Sequence, residues 1–537
     1  MVPSGTVSNI LVTDFGSTTT KTRLFSHNER WNLAATGEYP TTVEEPFKDV
    51  TVGLFESLSQ IERKTQLRLH DESKILTDLA LATSSAGGGL QVVILAPTRP
   101  ISGARAEKSS MLSGAIVLKT FCLDEISDDR EIAQQITALK PDIIIIAGGF
   151  ETGSSWYEER FAEILLSADP KPRFETQDRI PVILAGNSEG ALIAERLLSN
   201  RFLCFRVENV SPDERTEKLD GLLHSIHEIF ISHVMSSAPG YGKLLTLLSD
   251  NPQPTPIAAG IMTQFTAVET QSSILCVDIG GATTDVFTCG KTGTNLIRTV
   301  SANYGMSYSI PQVIKDGERL GILKLSEGAK MKLFDKMLRP GLLPITAEQL
   351  ELEHILAKAA LWMSLEKHKL FCGTAYEKPQ IVIGSGGVLS HCPTIESASE
   401  ILIDGFSLTG LCELVVDNLF LLPHLGVLSK HYPEVAKSLF LQECVKTLCI
   451  LVRPEWHFGW KSRVLAAVKV NERFDFDLIH GQRIFVRLPE EIETVKVKPR
   501  FGCSFSNELL NPRFSGFRWL CLDGTPPFGQ VFKYPPL

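Results

Sequence analysis

Two short stretches place the same residue types at the same spacing. Asp14, Gly16, Ser17, Thr18, Thr19 and Lys21 fall within "LVTDFGSTTTKTRLF", Leu11 to Phe25, and Asp278, Gly280, Gly281, Thr283 and Thr284 fall within "VDIGGATTDVFT", Val277 to Thr288. Aligning Asp14 with Asp278 puts Gly16 on Gly280, Thr19 on Thr283 and Thr20 on Thr284, and an apolar run precedes each aspartate. Glycine permits a tight turn that points backbone amides at an anion, hydroxyls add donors, and a carboxylate beside them can hold a hydrated divalent cation. The chemistry is that of a phosphate-and-magnesium clamp. Magnesium keeps several waters and uses one or two carboxylates plus nucleotide oxygens. Asp14 and Asp278 are therefore expected to be the metal residues, facing each other across a triphosphate, with Lys21 neutralising a β- or γ-phosphate. The P-loop pattern is not met, because "GSTTTKT" has Thr20 and "DVFTCGKT" has Asp285 where that motif requires glycine. The "GKT" at Gly290 is expected to be a turn.

A nucleotide also needs a seat for base and ribose. "IVIGSGGVLS", Ile381 to Ser390, offers a strand followed by Gly384, Gly386 and Gly387, where a planar ring can lie against bare backbone. Further glycine turns follow apolar runs at Ser84 ("SSAGGGL"), Ala147 ("AGGFETG") and Ala185 ("AGNSEG"), and Glu208 with Asn209 forms a similar candidate. Open α/β sheets bind ligands at the carboxyl ends of their strands, so each turn could touch nucleotide or partner, or simply connect elements. His391 and Cys392, just past the third loop, are read as packing residues.

The elements that must position these residues alternate. Apolar runs near Leu79, Val92, Ala115, Asp142, Pro181 and Arg201 read as buried strands, with helices such as "SWYEERFAEILLS" and "SEGALIAERLLSN" between them. This is the pattern of a mostly parallel α/β sheet. A long amphipathic helix is predicted over Glu214 to Met235 and another over Thr346 to Phe371, and the run around Cys444 and Cys449 reads as helical. Beyond it, "RVLAAVKV", "RIFVRLP", "TVKVKP" and "FRWLCLD" suggest a small β-rich domain. The expected division is 1–78 for the first lobe, 79–270 for an α/β region completing it or inserted in it, 271–430 for the second lobe and 431–537 for the β-rich domain.

At 537 residues, more than one core is expected. A net charge of -9 argues against a nucleic-acid binder that works by neutralising phosphates. The N-terminus lacks a signal-peptide pattern and no apolar run is long enough to span a bilayer, so a cytoplasmic protein without a membrane partner is expected. The eleven cysteines form no C-x-x-C pair or zinc-spaced cluster, and are read as reduced and structural.

Two Asp-x-Gly loops followed by a Gly-x-Gly-Gly loop resemble the superfamily of actin, hexokinase and the seventy-kilodalton heat-shock chaperones. That resemblance implies an α/β, two-lobed actin-like (ribonuclease H-like) core closing over ATP. The wording is closer to one branch, the MutL/GlmL family of glutamate mutase accessory proteins, unrelated to the mismatch-repair protein of the same name. The matching stretches are "DFGSTTTK" at Asp14, "TTVE" at Thr41, "SSAGGGLQVV" at Ser84, "PDIIIIAGG" at Pro141, "VILAGN" at Val182, "DIGGATTDV" at Asp278, "YGMSYS" at Tyr304 and "IGSGGVLS" at Ile383. They span most of the chain to about residue 430; the final hundred residues resemble the family only in outline, and "DVFTC" and the end "LDGTPPFGQVFKYPPL" depart from it.

The resemblance implies an accessory factor that uses ATP and Mg2+ to reactivate an adenosylcobalamin-dependent mutase, such as glutamate (methylaspartate) mutase, by releasing damaged cobalamin. Hydrolysis by an in-line water would rest on positioning and charge stabilisation, with Asp14, Asp278 and Lys21 as the catalytic set. Ser17, Thr18, Thr19, Thr283 and Thr284, with the amides of Gly16, Gly280 and Gly281, would hold the phosphates. Three other readings stay open: a small-molecule kinase on the same lobes, a non-catalytic actin-like assembly protein, and an activator ATPase with an iron-sulfur cluster, against which the cysteine spacing counts.

Overall fold

The computed structural model describes residues 8–43, 46–71, 74–85, 90–113, 115–126, 128–172, 179–230, 232, 238–301, 303–307, 309–338, 342, 344–456, 464–500 and 502–526. The chain divides into two compact units after Ala258.

In the first unit the leading apolar run becomes strand β1 (Asn9–Phe15). It turns into β2 (Thr19–Asn28) and then β3 (Arg30–Pro40), an antiparallel meander in which Asp14 lies opposite Lys21. Strand β4 (Leu79–Ser84) runs parallel to β1 on its other side. The helix Val50–Thr65 covers this sheet. Asp49 caps it by accepting from the Thr51 amide, and Leu54, Leu58 and Ile61 are fully buried along one face. A 16-residue helix is marginal by itself, and burial of such side chains at ~1.5–3 kcal/mol each decides that it forms. Gly37 of β3 is required here, because a Cβ at that position would meet the Ser57 carbonyl oxygen at 2.0 Å.

Between β4 and the unit's last strand the chain builds a second sheet from β5 (Gln91–Ala96), β6 (Ile116–Cys122), β7 (Ile143–Gly148), β8 (Pro181–Gly186) and β9 (Leu203–Arg206). All pairs are parallel, in the order β6-β5-β7-β8-β9. The central strands β5, β7 and β8 read as unbroken apolar runs because both faces are covered, whereas the edge strands β6 and β9 are partly exposed, so the run at Arg201 is a strand but not a buried one. Leu11, Leu24 and Ala82 of the first sheet share one core with Val92, Ile94 and Ile145 of the second and with Leu222 and Ile226. The predicted helix over Glu214 to Met235 is shorter, Asp220–Ile229. It starts late because Asp213 accepts from the Arg215 and Thr216 amides, closing a local turn that competes with helix. Its expected end lies largely outside the described residues. The first sheet is completed by β10 (Gln253–Pro254), parallel to β4.

The second unit repeats the arrangement. Strands β11 (Ile274–Ile279), β12 (Thr284–Cys289) and β13 (Ile297–Ser301) form an antiparallel meander, and β14 (Ile381–Ser385) and β15 (Gly410–Asp417) extend it in parallel from β11. The order β13-β12-β11-β14-β15 matches β3-β2-β1-β4-β10 of the first unit in sequence and direction. A repeat visible in sequence only at two loops is thus a repeat of whole sheets, and the fold is the two-lobed, actin-like α/β core expected above. The helix Ala347–Cys372 starts at a capping box formed by Thr346 and Gln349. On it, His368 is buried between Thr288 and Thr299, 2.8 and 2.9 Å from their hydroxyls, and burial pushes its pKa down to about 3.

The run around Cys444 and Cys449 is helical only in its first half: the helical stretch Phe440–Cys444 ends at Cys444, and from Val445 to Arg453 the chain is a strand, β16, antiparallel to β15. A short apolar run carries no period that separates buried strand from buried helix, and pairing with β15 decides it. Strand Trp519–Asp523 then pairs with β16 and Arg483–Arg487 with Trp519–Asp523, so part of the β-rich C-terminal region extends this sheet. Arg453 and Asp523 are fully buried at the joint, where Arg483 binds both Asp523 and Asp404.

One buried group on the helix Trp156–Ala168, which follows β7, has a measurable consequence. Glu158 is 1% exposed, accepts the Asn187 amide at 2.7 Å on Oε1, and has an Oε2 without a hydrogen-bond partner. Gly149, Gly186 and Gly190 surround it so closely that a Cβ on any of them would lie within 2.8 Å of a carboxyl oxygen. Burial pushes its pKa up to about 7 from an ordinary 4.5. The folded state then holds a proton that the unfolded chain releases, so the stability contributed by this group is complete below pH 4.5 and lost as pH rises through 7. Relative to Glu158→Gln, wild type should lose ~3 kcal/mol between these limits, read as a pH-dependent gap between urea midpoints that opens toward pH 8. Parallel midpoints at pH 5 and 8 would show that the carboxyl is solvated.

Candidate functional site

The two aspartate loops are closed by the same turn hydrogen bond and share the same register. After β1 the Gly16 amide donates to the Thr19 carbonyl at 3.1 Å, and after β11 the Gly280 amide donates to the Thr283 carbonyl at 2.9 Å. Asp14 stands opposite Lys21 in register and Asp278 opposite Asp285, so the alignment made by type and spacing holds residue for residue in the backbone.

What differs is how each loop is fastened. In the first loop Thr41 donates its hydroxyl to the Gly16 carbonyl at 2.7 Å and its amide to the Thr18 carbonyl at 3.0 Å. In the second, the Met306 amide binds the Gly280 carbonyl at 2.9 Å, the Ser307 amide the Gly281 carbonyl at 2.7 Å, and the Ser309 hydroxyl the Ala282 carbonyl at 2.5 Å. Gly305 is needed for that approach, since a Cβ there would meet the Ala282 carbonyl carbon at 2.3 Å. The carbonyls of Gly16, Thr18, Gly280, Gly281 and Ala282 are thereby committed, while the amides of Ser17 and Thr18, and of Gly281 and Ala282, have no hydrogen-bond partner among the described residues. Two successive partnerless amides beside a strand-end carboxylate form an anion-facing surface. Thr41 and the segment from Tyr304 to Ser309 were visible in sequence as family-like stretches, but their fastening role was not; Glu44 and Tyr308 of those stretches lie outside the described residues.

The side chains sort by burial. Gly16, Ser17, Thr18, Thr19, Lys21, Asp278, Gly280, Gly281 and Thr283 are all partly exposed. Thr284 is fully buried and its hydroxyl donates to the Tyr304 carbonyl, which places it beneath the loop rather than on its anion-facing side. Asp14 is 5% exposed, and its Oδ1 accepts from Thr83 at 2.9 Å and from Thr255 at 2.8 Å. Both threonines escaped sequence reasoning, because neither lies in a motif and Thr255 is 241 residues away. Opposite Asp278, the Asp285 carboxylate accepts from Arg298 Nε at 3.1 Å and Nη2 at 2.9 Å, a buried two-point pair that cancels its charge.

The three glycines of the third loop do three different things. Gly384 is filled around by core, with Leu389 and Leu402 within 3.2 Å of its Cβ position. Gly386 has φ +104°, and its Cβ would lie 2.2 Å from the carbonyl oxygen of Ile279, the residue after Asp278. Gly387 is exposed with nothing within 4 Å of its Cβ position, and so is the glycine that leaves open surface. Asp417, at the end of β15, accepts from the Ser385 hydroxyl at 3.3 Å and the Leu421 and Leu422 amides at 2.8 and 2.9 Å; its carbonyl accepts from Ser390 at 2.7 Å. The loop is pinned on both flanks.

The other candidates are committed internally. Asn187 donates to the Phe150 and Glu151 carbonyls and accepts from the Glu189 and Gly190 amides, and Asn209 donates to the Gly149 carbonyl and to Glu151. Glu208 is ion-paired with Lys218. The alanine and the three glycines of "SSAGGGL", 86–89, lie outside the described residues. His391 lies 3.1 Å from the Gly387 carbonyl through Nδ1, and Cys392 donates to the Val388 carbonyl. Burial pushes the Cys276 and Cys392 thiols up to about 12, which leaves them protonated and poor nucleophiles at neutral pH.

The family described as MutL protein matches residues 10–444. A curated relative, "Protein MutL" of Clostridium tetanomorphum, is 26% identical over 485 residues, covering 81% of this chain and 99% of the relative. Among solved structures, nucleotide-free acetone carboxylase is similar at 11% identity and a TM-score of 0.40, over 89% of this chain and 81% of that one. Xylulose kinase from Lactobacillus acidophilus is similar at 10% identity and a TM-score of 0.32, over 83% and 94%. These structural likenesses are remote, and the fold assignment rests on the sheet order itself.

Gly386 and Gly387 give a paired test of the third loop. Gly386→Ala forces both a positive φ and a backbone clash and should cost ~2–4 kcal/mol, whereas Gly387→Ala should stay within about 0.5 kcal/mol of wild type in chemical denaturation. Equal effects would mean that the close approach of Gly386 to β11 is not as described.

Proposed function

The chain belongs to the MutL protein family, and we propose that it is an ATP-dependent accessory protein that reactivates an adenosylcobalamin-dependent mutase such as glutamate mutase. The observation that carries the nucleotide half of this reading is the shared construction of the two loops: carbonyls fastened inward, successive amides left without partners, and a carboxylate at the end of the adjoining strand. Ser17, Thr18 and Thr19 with the Gly16 turn, and Thr283 with the amides around Gly280 and Gly281, would bind the β- and γ-phosphates. Thr284 would support that second loop from below. Lys21 would add positive charge on the phosphate side of the first loop, and the open surface at Gly387, held in place by Gly386, would receive the adenosine.

Magnesium fits this donor set. Oxygen ligands suit a hard cation, one or two carboxylates suffice for it, and Asp14 has one oxygen held by threonines and the other without a protein partner among the described residues. When bound, the cation would neutralise charge on the phosphate oxygens. Asp14 and Asp278 would hold its water shell, and Asp278, which is partly exposed, would also orient a water by accepting a hydrogen bond from it. The partner half of the proposal rests on the family alone.

Phosphate release from ATP should require both aspartates. Asp14→Ala and Asp278→Ala are each expected to lower turnover by about a hundredfold or more, in line with the loss of a group acting on the reacting phosphates. Wild-type turnover should rise when a glutamate mutase carrying inactivated cobalamin is added. Retention of full turnover by Asp278→Ala would overturn the clamp, and stoichiometric phosphorylation of an added sugar would replace the accessory reading with a kinase.

A further inference from the structure

Asp14 is held by more than its place at the end of β1. Thr83, the penultimate residue of β4, and Thr255, which opens the helix Thr255–Thr270, both donate to its Oδ1, at 2.9 and 2.8 Å. Thr83 is completely buried and Thr255 is 5% exposed, so neither hydroxyl exchanges freely with solvent. Two donors on one oxygen fix the carboxylate plane. They leave Oδ2 on the side of the Gly16 turn, 3.8 Å from the position a Gly16 Cβ would take and without a protein partner among the described residues.

The second loop serves as an internal control. In register with Asp278 on the neighbouring strand β14 stands Ser385, the counterpart of Thr83 opposite Asp14. Its hydroxyl turns away to Asp417 at 3.3 Å. The two copies therefore share backbone geometry and differ in whether a strand-end hydroxyl serves the aspartate. Asp14 is 5% exposed while Asp278 is partly exposed, and the clamp accompanies the more buried carboxylate.

We infer that Thr83 and Thr255 are positioning residues of the first phosphate loop, which orient Asp14 so that Oδ2 is presented to the hydrated cation that accompanies a nucleotide. This inference rests on the nucleotide reading given above. It assigns Asp14 the main share of the cation dependence and leaves contacts to the base untouched. It also explains why two residues in no motif lie on one carboxylate oxygen: an unclamped Asp14 could rotate both oxygens onto the Gly16 turn and fill the anion-facing surface with its own charge.

The test measures binding as well as turnover. The affinity of a fluorescent ADP analogue is determined with magnesium and with EDTA for wild type, Thr83→Val, Thr255→Val and the corresponding serine variants, and unfolding midpoints are recorded without nucleotide. Valine keeps the shape and removes the donor; serine keeps the donor. Each valine variant should reduce the ratio of the two affinities about tenfold, the scale of one hydrogen bond to a charged group, with affinity in EDTA unchanged and the ratio restored by serine. An unchanged ratio in both valine variants overturns the inference. So does an equal loss with and without magnesium, or a ratio that follows the unfolding midpoint rather than the hydroxyl. Wild type that binds the analogue in neither condition would instead overturn the nucleotide reading, and this inference with it.

Discussion

Every backbone carbonyl in a tight loop must find a donor, and the direction in which it finds one decides where the loop's amides point. In both aspartate loops the donors come from behind: Thr41 in the first unit, and Met306, Ser307 and Ser309 in the second. The amides of Ser17, Thr18, Gly281 and Ala282 are left on the other side. The rest of the architecture can be understood as what brings those donors into place. The meanders set the register, the parallel strand beside each meander sets its aspartate at the end of its own sheet's strand, and Gly305 lets the second fastening segment approach.

The duplication has been differentiated at a few positions rather than rebuilt. Lys21 and Asp285 occupy the same place opposite the two aspartates, and the negative charge of the second copy is cancelled by Arg298 from β13. Thr83 and Ser385 likewise share a place and have different partners, Asp14 in one case and Asp417 in the other. Backbones of matching register thus present different charges and differently held carboxylates. The local electrostatics are a tertiary property, since the partners Thr255, Arg298 and Asp417 arrive from distant parts of the chain.

The inserted parallel sheet has the strand order in which ligands are usually found beyond the carboxyl ends. Its turns are closed instead. Asn187, Asn209 and Glu151 hydrogen-bond to one another's backbone and side chains, and Gly148 packs so closely on Pro97 and Ser102 that a Cβ would lie within 2.7 Å of both. Glycine-rich turns after strands are therefore of two kinds in this protein. Those at Gly148 and Gly186 are glycine because side chains of the same unit fill the space; the one at Gly387 is open.

The sequence by itself determined the two aspartate loops, their one-to-one alignment, most of the buried strands and the family likeness. Each of these depends on short-range pattern, an apolar run followed by turn-forming residues, which survives without knowledge of distant contacts. It misjudged Val445 to Arg453, because a continuous apolar run has no period to show which way it folds, and it overextended the helix at Glu214, because the Asp213 turn competes locally. Only the tertiary structure decided which of the candidate residues face outward. Thr284 and Gly384 have the right types in the right places, yet one donates to Tyr304 and the other lies against Leu389. It also supplied Thr83, Thr255 and Asp417, whose roles arise from sheet order and so from pairings between segments far apart in the chain. Spacing along a chain reports what a loop can do; only the neighbours delivered by the sheet settle which atoms remain available to do it.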